Sequence, residues 1–200
     1  MRFETLANAL RKIDYKIFWL INRDAHNRIL DYFMSLWTKV DVTLGINTGL
    51  VFLIIMVGTI IWFTNRKKFW PEFLLASGVI IFGGILVHFI KDAVERMRPL
   101  SVFGDQVNVF SERLYRGSFP SGHTQAAFSV ATFLSARIKK YWLAFFLIAT
   151  FVGFERIYVG SHFPLDVGAA AIIGTGTTWI ILKLSELGKI VVMQEKNKRE

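Results

Sequence analysis

Three groups of residues in this sequence have the types and spacing to work on a phosphate ester. Lys91 and Arg98-Pro99 form a K-x6-R-P pattern, and Pro120-Ser121-Gly122-His123 forms a second pattern. Arg156, His162 and Asp166 form a third, R-x5-H-x3-D. Phosphoryl oxygens carry negative charge that must be held through the transition state. Lys91, Arg98 and Arg156 supply three cations, and arginine offers a planar pair of donors to phosphate oxygens. Ser121 and Gly122 follow Pro120 at a predicted helix start, where unpaired N–H groups and a partial positive charge favour an anion. Glycine there lets the backbone approach the anion closely.

The same residues supply a nucleophile and an acid. His162 and Asp166 are four apart at the start of a predicted helix, so they face the same way. A carboxylate accepting from one ring nitrogen fixes the tautomer and leaves the other nitrogen to attack phosphorus. His123, on a different helix, is placed to protonate the leaving oxygen. This route passes through a phosphohistidine that water then hydrolyses. A two-metal route needs several converging carboxylates. Asp166 is the one acidic residue in the pattern, while Asp92, Glu95 and Glu112 lie nearby without ligand spacing. No metal and no cofactor are expected. The chain has no cysteine, which excludes a thiol nucleophile, a zinc–thiolate site and an iron–sulfur cluster.

Helices must carry these residues, and the apolar pattern puts them in a membrane. Hydrophobic residues make up 53% of the chain, gathered in long uncharged blocks. Predicted spans cover 44–63, 73–90, 121–136, 141–159 and 163–182. Ahead of them, Phe3, Leu6, Leu10, Ile13, Ile17 and Leu20 recur at helical spacing between charges, the pattern of an amphipathic helix lying in the interface. Residues 29–37 read as a second interfacial segment or the lead-in to a span. Arg11, Lys12, Asp14 and Lys16 interrupt any apolar stretch in the first 23 residues, so no signal peptide is expected. The expected fold is all-α, an integral membrane bundle of five to six transmembrane helices with an N-terminal amphipathic helix. It forms one membrane-embedded domain over 1–200, with interfacial helices at 1–40, a catalytic core at 41–185 and a basic tail at 186–200.

The net charge of +9 bears on orientation. Basic clusters at 66–68, 137–140 and 183–199 fall on one side of alternating spans, the cytoplasmic side by the positive-inside rule. The three motifs then share the opposite face, which predicts an active site on the non-cytoplasmic face of the inner membrane. The basic residues bracket apolar spans instead of lining one surface, so they answer anionic headgroups and not nucleic acid. The expected partners are a lipid phosphate substrate and the membrane itself, and no residue pattern specifies an oligomer.

In this order and spacing the motifs resemble those of the type-2 phosphatidic acid phosphatase superfamily, over residues 40–185. That family includes lipid phosphate phosphatases, phosphatidylglycerophosphate phosphatases, undecaprenyl diphosphate phosphatases, lipid A phosphatases and vanadium haloperoxidases. The resemblance implies His162 as nucleophile, Asp166 as its partner and His123 as general acid. It implies Lys91, Arg98, Ser121, Gly122 and Arg156 as phosphate ligands. One position departs from it. The family usually has a serine before the third-motif arginine, and here stands Glu155, a carboxylate that bears on phosphate affinity and pH optimum.

The short chain, small loops and amphipathic N-terminus look most like bacterial undecaprenyl diphosphate phosphatases, and that resemblance implies undecaprenyl diphosphate as the favoured substrate. Phosphatidylglycerophosphate, phosphatidate and lipid A 1-phosphate are alternatives within the family. A lipid phosphotransferase using the same histidines and a non-catalytic binder of anionic lipid are alternatives outside simple hydrolysis. Away from the motifs, His26 reads as interfacial and His88 as structural or interfacial. Lys91 and Glu95 have the spacing of a helix pair. Arg96 reads as a headgroup contact on the helix of Arg98. Arg113 and Arg116 read as loop anchors or recruiters of anionic substrate.

Overall fold

A computed structural model describes residues 2–34, 48–110 and 113–197. Parts of the predicted segments at 29–37 and 44–63, Glu112 and the last three residues of the basic tail lie outside the described residues. The elements are α1 (Arg2–Trp19), continued by a wider helical turn over Leu20–Asp24, then α2 (28–34) and α3 (Thr48–Asn65). A tight turn at Arg66–Lys68 leads into α4 (Phe69–Val94), followed by the short α5 (Pro99–Phe103). After the connection come α6 (Gly122–Arg137), α7 (Trp142–Tyr158) and α8 (Pro164–Asn197). The described residues contain no strand.

Three helical stretches are long and apolar enough to cross a membrane: Leu53–Gln106, Lys139–Tyr158 and Pro164–Gly188. The first is 54 residues long and includes the turn between α3 and α4. A span needs about 20 residues, so this stretch has the length to cross and return. Between their charged ends they expose large apolar side chains, among them Leu74, Ile81, Phe89, Leu147, Ile172 and Trp179. Hydrocarbon is the solvent in which such a surface is stable.

The predicted span at 121–136 matches α6, which at 16 residues is shorter than those three stretches, and its middle is polar. Thr124, Gln125 and Ser129 are buried along it. Gln125 Nε2 donates to Ser129 Oγ at 2.9 Å, and Ser129 Oγ donates to the Gly174 carbonyl at 3.2 Å. Neighbouring helices satisfy these groups, since α6 packs against α3, α4, α7 and α8. Polar side chains and small residues at such contacts let helix backbones come close. A Cβ built on Gly174 would lie 2.4 Å from the Gln125 carbonyl oxygen, so α6 and α8 can meet only where that position has no side chain.

The ends of the bundle are chemically distinct. Arg137, at the end of α6, donates through Nε to Glu72 Oε2 at 2.7 Å, near the start of α4. The basic clusters at 66–68 and 137–140 therefore lie at one end, and the motif residues on the opposite ends of α4 and α6 lie at the other. On α1 the predicted stripe of Leu6, Leu10, Ile13 and Ile17 is exposed, while Asp14 and Phe18 are buried. Gly174→Val is expected to cost about 1–3 kcal/mol through overpacking, read as a lower thermal midpoint in detergent. Gly176→Ala, whose Cβ would meet nothing within 4 Å, should leave that midpoint in place.

Candidate active site

The first motif spans a break in the helix. Lys91 sits in the last turn of α4, which ends at Val94. Glu95 then takes a left-handed conformation with φ 45°, rare for a residue with a Cβ. Pro99 cannot continue a helix from Arg98, because it lacks an N–H and restricts the preceding residue, so a new helix starts there. Arg96 and Arg98 therefore lie between helices and diverge, which corrects the expectation that they share one. Lys91 Nζ donates to the Gly117 carbonyl at 2.6 Å. Arg98 reaches the carbonyls of Arg116 at 2.9 Å, Ser161 at 3.1 Å and Gly117 at 3.3 Å. The predicted Lys91–Glu95 pair is replaced, with Glu95 facing Arg116 at 3.7 Å.

The second motif starts α6 as expected. Ser121 is the residue before the first helical turn, and its N–H donates to the Asp166 carbonyl at 3.2 Å. This bond joins the start of α6 to the start of α8. His123 lies within electrostatic reach of Arg156, His162, Arg98 and Lys91. All three motifs thus converge at one end of the bundle.

The third motif departs from expectation in one hydrogen bond. His162 Nδ1 lies 2.7 Å from the Ser118 carbonyl oxygen, which can only accept. The ring proton is therefore on Nδ1, and Nε2 of the neutral ring carries a bare lone pair. The expected acceptor, Asp166, stands 3.7 Å from Nδ1, too far for a hydrogen bond but near enough to attract a positive ring. Asp166 is fully buried and accepts from Arg96 Nη1 at 2.5 Å, Ser118 Oγ at 2.5 Å and the Phe163 N–H at 2.9 Å.

Sequence reasoning missed Arg96, Ser118 and Asp14 as members of this end. Arg96 is no headgroup contact. Its Nη2 donates to Asp14 Oδ2 at 2.5 Å, and its guanidinium lies over the Phe163 ring at 4.5 Å. His26 also departs from its interfacial reading. It stacks on Tyr158 at 4.3 Å and pairs with Asp31 at 2.8 Å. His88 is exposed beside Asp92, and Arg113 and Arg116 are exposed beside Asp105 and Glu95.

Arg156 is buried and donates through Nε and Nη2 to both carboxylate oxygens of Glu155. Both residues line an apolar cavity of about 650 Å³ that also touches Gly122 and His123. Its remaining walls include Ile54, Met56, Ile80, Ile81 and Phe151, from α3, α4 and α7. The cavity thus has the Arg156–Glu155 pair and a histidine at one end and mostly apolar side chains along the rest.

Comparison with known proteins gives a consistent picture. The family model described as PAP2 superfamily matches residues 72–188. The chain is 29% identical over 182 residues to a lipid A 4'-phosphatase of Bacteroides thetaiotaomicron, covering 86% of this chain and 76% of that protein. It is 24% identical over 176 residues to undecaprenyl-diphosphatase BcrC of Bacillus subtilis, covering 88% and 86%. Among solved structures, Aquifex aeolicus LpxE superposes with a TM-score of 0.67 at 35% identity, covering 86% of this chain and 95% of that one.

His162 lies in the turn between α7 and α8, and burial pushes its imidazole down to about 4. Asp166 pulls in the opposite direction and Arg98 in the same direction as burial. The ring is neutral at pH 7. Its pKa in the folded chain is below the value near 6.5 of an unfolded histidine, so the unfolded chain binds the extra proton between those values. Stability from this residue should therefore be full above about 6.5 and fall as pH drops toward 4. Thermal midpoints in detergent across that range should slope downward, and His162→Asn should flatten the slope.

Proposed function

Because the chain belongs to the PAP2 superfamily, we propose that its site removes phosphate from a membrane lipid by attack of His162 on phosphorus. The single observation that carries this reading is the neutral, buried His162 ring with its Nδ1 proton committed to the Ser118 carbonyl. Such a ring presents Nε2 as a nucleophile without prior loss of a proton. Arg98 uses three of its donor contacts on carbonyls and Lys91 uses one, and both retain further N–H groups for phosphoryl oxygens. Arg156, Ser121 and Gly122 complete the cradle, Ser121 through its hydroxyl, since its N–H serves the Asp166 carbonyl, and Gly122 through an N–H that opens α6.

In the first step Nε2 forms a bond to phosphorus as the bond to the lipid oxygen breaks. His123 gives that oxygen a proton. Asp166, 3.7 Å from Nδ1, stabilises the positive ring of the phosphohistidine. In the second step water attacks phosphorus as the bond from Nε2 to phosphorus breaks, His123 takes the water proton, and phosphate leaves. No step calls on a metal. Among the described residues, no group of three or more His, Asp or Glu side chains converges as a metal site. The apolar cavity beside Arg156 and His123 suits a lipid chain whose phosphate lies at its polar end. We place the site at the non-cytoplasmic face of the inner membrane, with α3, α4, α6, α7 and α8 as five spans and α1 in the interface.

Glu155 bears on which lipid phosphate is taken. It binds Arg156 through both oxygens and offsets one of the cations that a phosphate would meet. A diphosphate brings more negative charge than a monoester, so this pairing favours a phosphomonoester. The lipid A 4'-phosphatase relative supports that choice. Undecaprenyl diphosphate, favoured by the sequence and supported by the BcrC relative, is the second reading.

Purified protein in detergent with EDTA should release phosphate from lipid A or another lipid monoester without an added acceptor. His162→Ala should lose at least about a thousandfold in kcat, as removal of a catalytic nucleophile does. Full activity of that variant, or a strict need for magnesium, would overturn the mechanism. Glu155→Ser should raise kcat/KM for undecaprenyl diphosphate relative to lipid A by about tenfold or more, through an uncovered buried arginine. An unchanged ratio would remove Glu155 from substrate choice.

A further inference from the structure

We propose that Asp14, on the N-terminal helix α1, is a positioning residue for the nucleophile, holding Arg96 against Asp166 and anchoring the first turn of α8 from another part of the chain. The inference rests on His162 being the nucleophile and adds a residue outside every recognised motif. Asp14 is 1% exposed, although Arg11, Lys12 and Lys16 around it are exposed. An aspartate is almost never buried without partners, and Asp14 has two. Its Oδ1 accepts from the Leu165 N–H at 2.8 Å, and its Oδ2 accepts from Arg96 Nη2 at 2.5 Å.

The first of these bonds is a helix cap made in trans. The opening N–H groups of a helix have no partner within it, and a side chain just before the helix usually supplies one. Here α8 opens at Pro164, and the acceptor for Leu165 lies 151 positions earlier in the chain. A carboxylate at that end also meets the positive pole of the helix. The turn that it anchors carries Asp166.

The second bond makes Arg96 a bridge. One guanidinium nitrogen serves Asp14 and the other serves Asp166, and both carboxylates have no exposed side-chain surface. A planar guanidinium held at both forks and stacked on Phe163 cannot turn. It fixes the Asp166 carboxylate between the Arg96 fork, Ser118 and the Phe163 N–H. Without Asp14, one fork of Arg96 and the Leu165 N–H lose a buried acceptor, and the carboxylate beside His162 is free to shift. A displacement of about 1 Å in such a group is enough to slow chemistry about a hundredfold.

The rest of α1 is built to hold Asp14 there. Phe18 is fully buried against Phe103 and Phe163. One turn further, Asn22 and Asn108 exchange hydrogen bonds in both directions, and Asn22 also donates to the Tyr158 carbonyl at 2.8 Å. The inner face of the helix thus joins the catalytic end, and its outer face of Leu6, Leu10, Ile13 and Ile17 faces the surroundings.

Rapid-quench labelling tests the proposal with full-length protein in detergent, using lipid A and undecaprenyl diphosphate labelled with 32P at the scissile phosphoryl group. The rate constant of phosphoenzyme formation reports the chemistry, and its amplitude reports the folded fraction. Asp14→Asn keeps an acceptor for Leu165 and removes the charge facing Arg96. Its rate constant should fall by about ten- to a hundredfold with the wild-type amplitude and a KM within about twofold of the wild-type value. Lys12→Ala, on the exposed side of α1, should match wild type in both. A reduced amplitude with an unchanged rate constant would assign Asp14 to folding alone and overturn the proposal, as would an equal loss of rate in Lys12→Ala. If Asp14→Asn gives no folded protein, Arg96→Lys decides by the same two readouts, because an ammonium keeps the charge and loses the double fork. Label retained by His162→Ala would refute the nucleophile assignment itself. A His162→Ala without label beside an Asp14→Asn of wild-type rate would refute this inference alone.

Discussion

The end of the bundle that carries the three motifs is organised around one buried carboxylate. A charged group without water is costly unless its lone pairs are met by donors. Asp166 meets that requirement with Arg96, Ser118 and the Phe163 N–H. Those donors come from the break after α4, the connection before α6 and the turn before α8. The Asp166 backbone carbonyl adds the Ser121 N–H, which brings in α6. Satisfying this one residue draws together the segments that carry the three motifs. The same demand explains why α4 must end at Val94. A helix continued through residue 98 would carry Arg96 away from the carboxylate that it serves.

The membrane-like exterior and the polar interior of the bundle are parts of one arrangement. Helix α6 is too polar to be stable in hydrocarbon alone, yet it stands among helices whose outer faces are apolar. Gly83 and Gly174 leave room for Gln125 from two sides, since a Cβ at either would collide with it. Close packing there fixes the height of Ser121, Gly122 and His123 relative to His162. The apolar cavity beside them excludes water along most of its wall, and low polarity strengthens each charge interaction at its end.

The sequence made the helices legible because their signal is local. Apolar runs placed α4, α6 and α7 to within a few residues, and Pro120 marked the start of α6. Residue type and spacing also singled out His162, Asp166, His123, Lys91, Arg98 and Arg156, which the fold brings to one end. What spacing could not reach was any partner lying in another segment. Asp14 read as one more charge in an amphipathic helix, because its partners are 82 and 151 positions away. Arg96 was assigned to the helix of Arg98 because Glu95 gives no hint that it turns left-handed. Ser118 acts on His162 through its carbonyl, a group that every residue has. The one available signal was that Asp14, Phe18 and Asn22 recur four apart, a second stripe beside the apolar one on α1.

The charges at this end are nearly balanced, and that balance has a chemical consequence. Lys91, Arg96, Arg98 and Arg156 stand against Asp14, Glu155 and Asp166, with His162 neutral. Before substrate arrives the cluster carries about one excess positive charge, which a buried site can hold because each cation has an acceptor. A phosphate dianion turns that small excess into a small deficit. On the proposed route, transfer to His162 creates a positive ring beside Asp166, and the deficit is spread over the carboxylate, the arginines and the phosphoryl group. Excess cations would hold the phosphate more tightly in the ground state and the product equally so, which gives no gain in the chemical step. Pairing Arg96 with two carboxylates and Arg156 with one keeps the field modest. On the proposed route the attraction that is added during the reaction arises where charge develops, between the ring of His162 and Asp166.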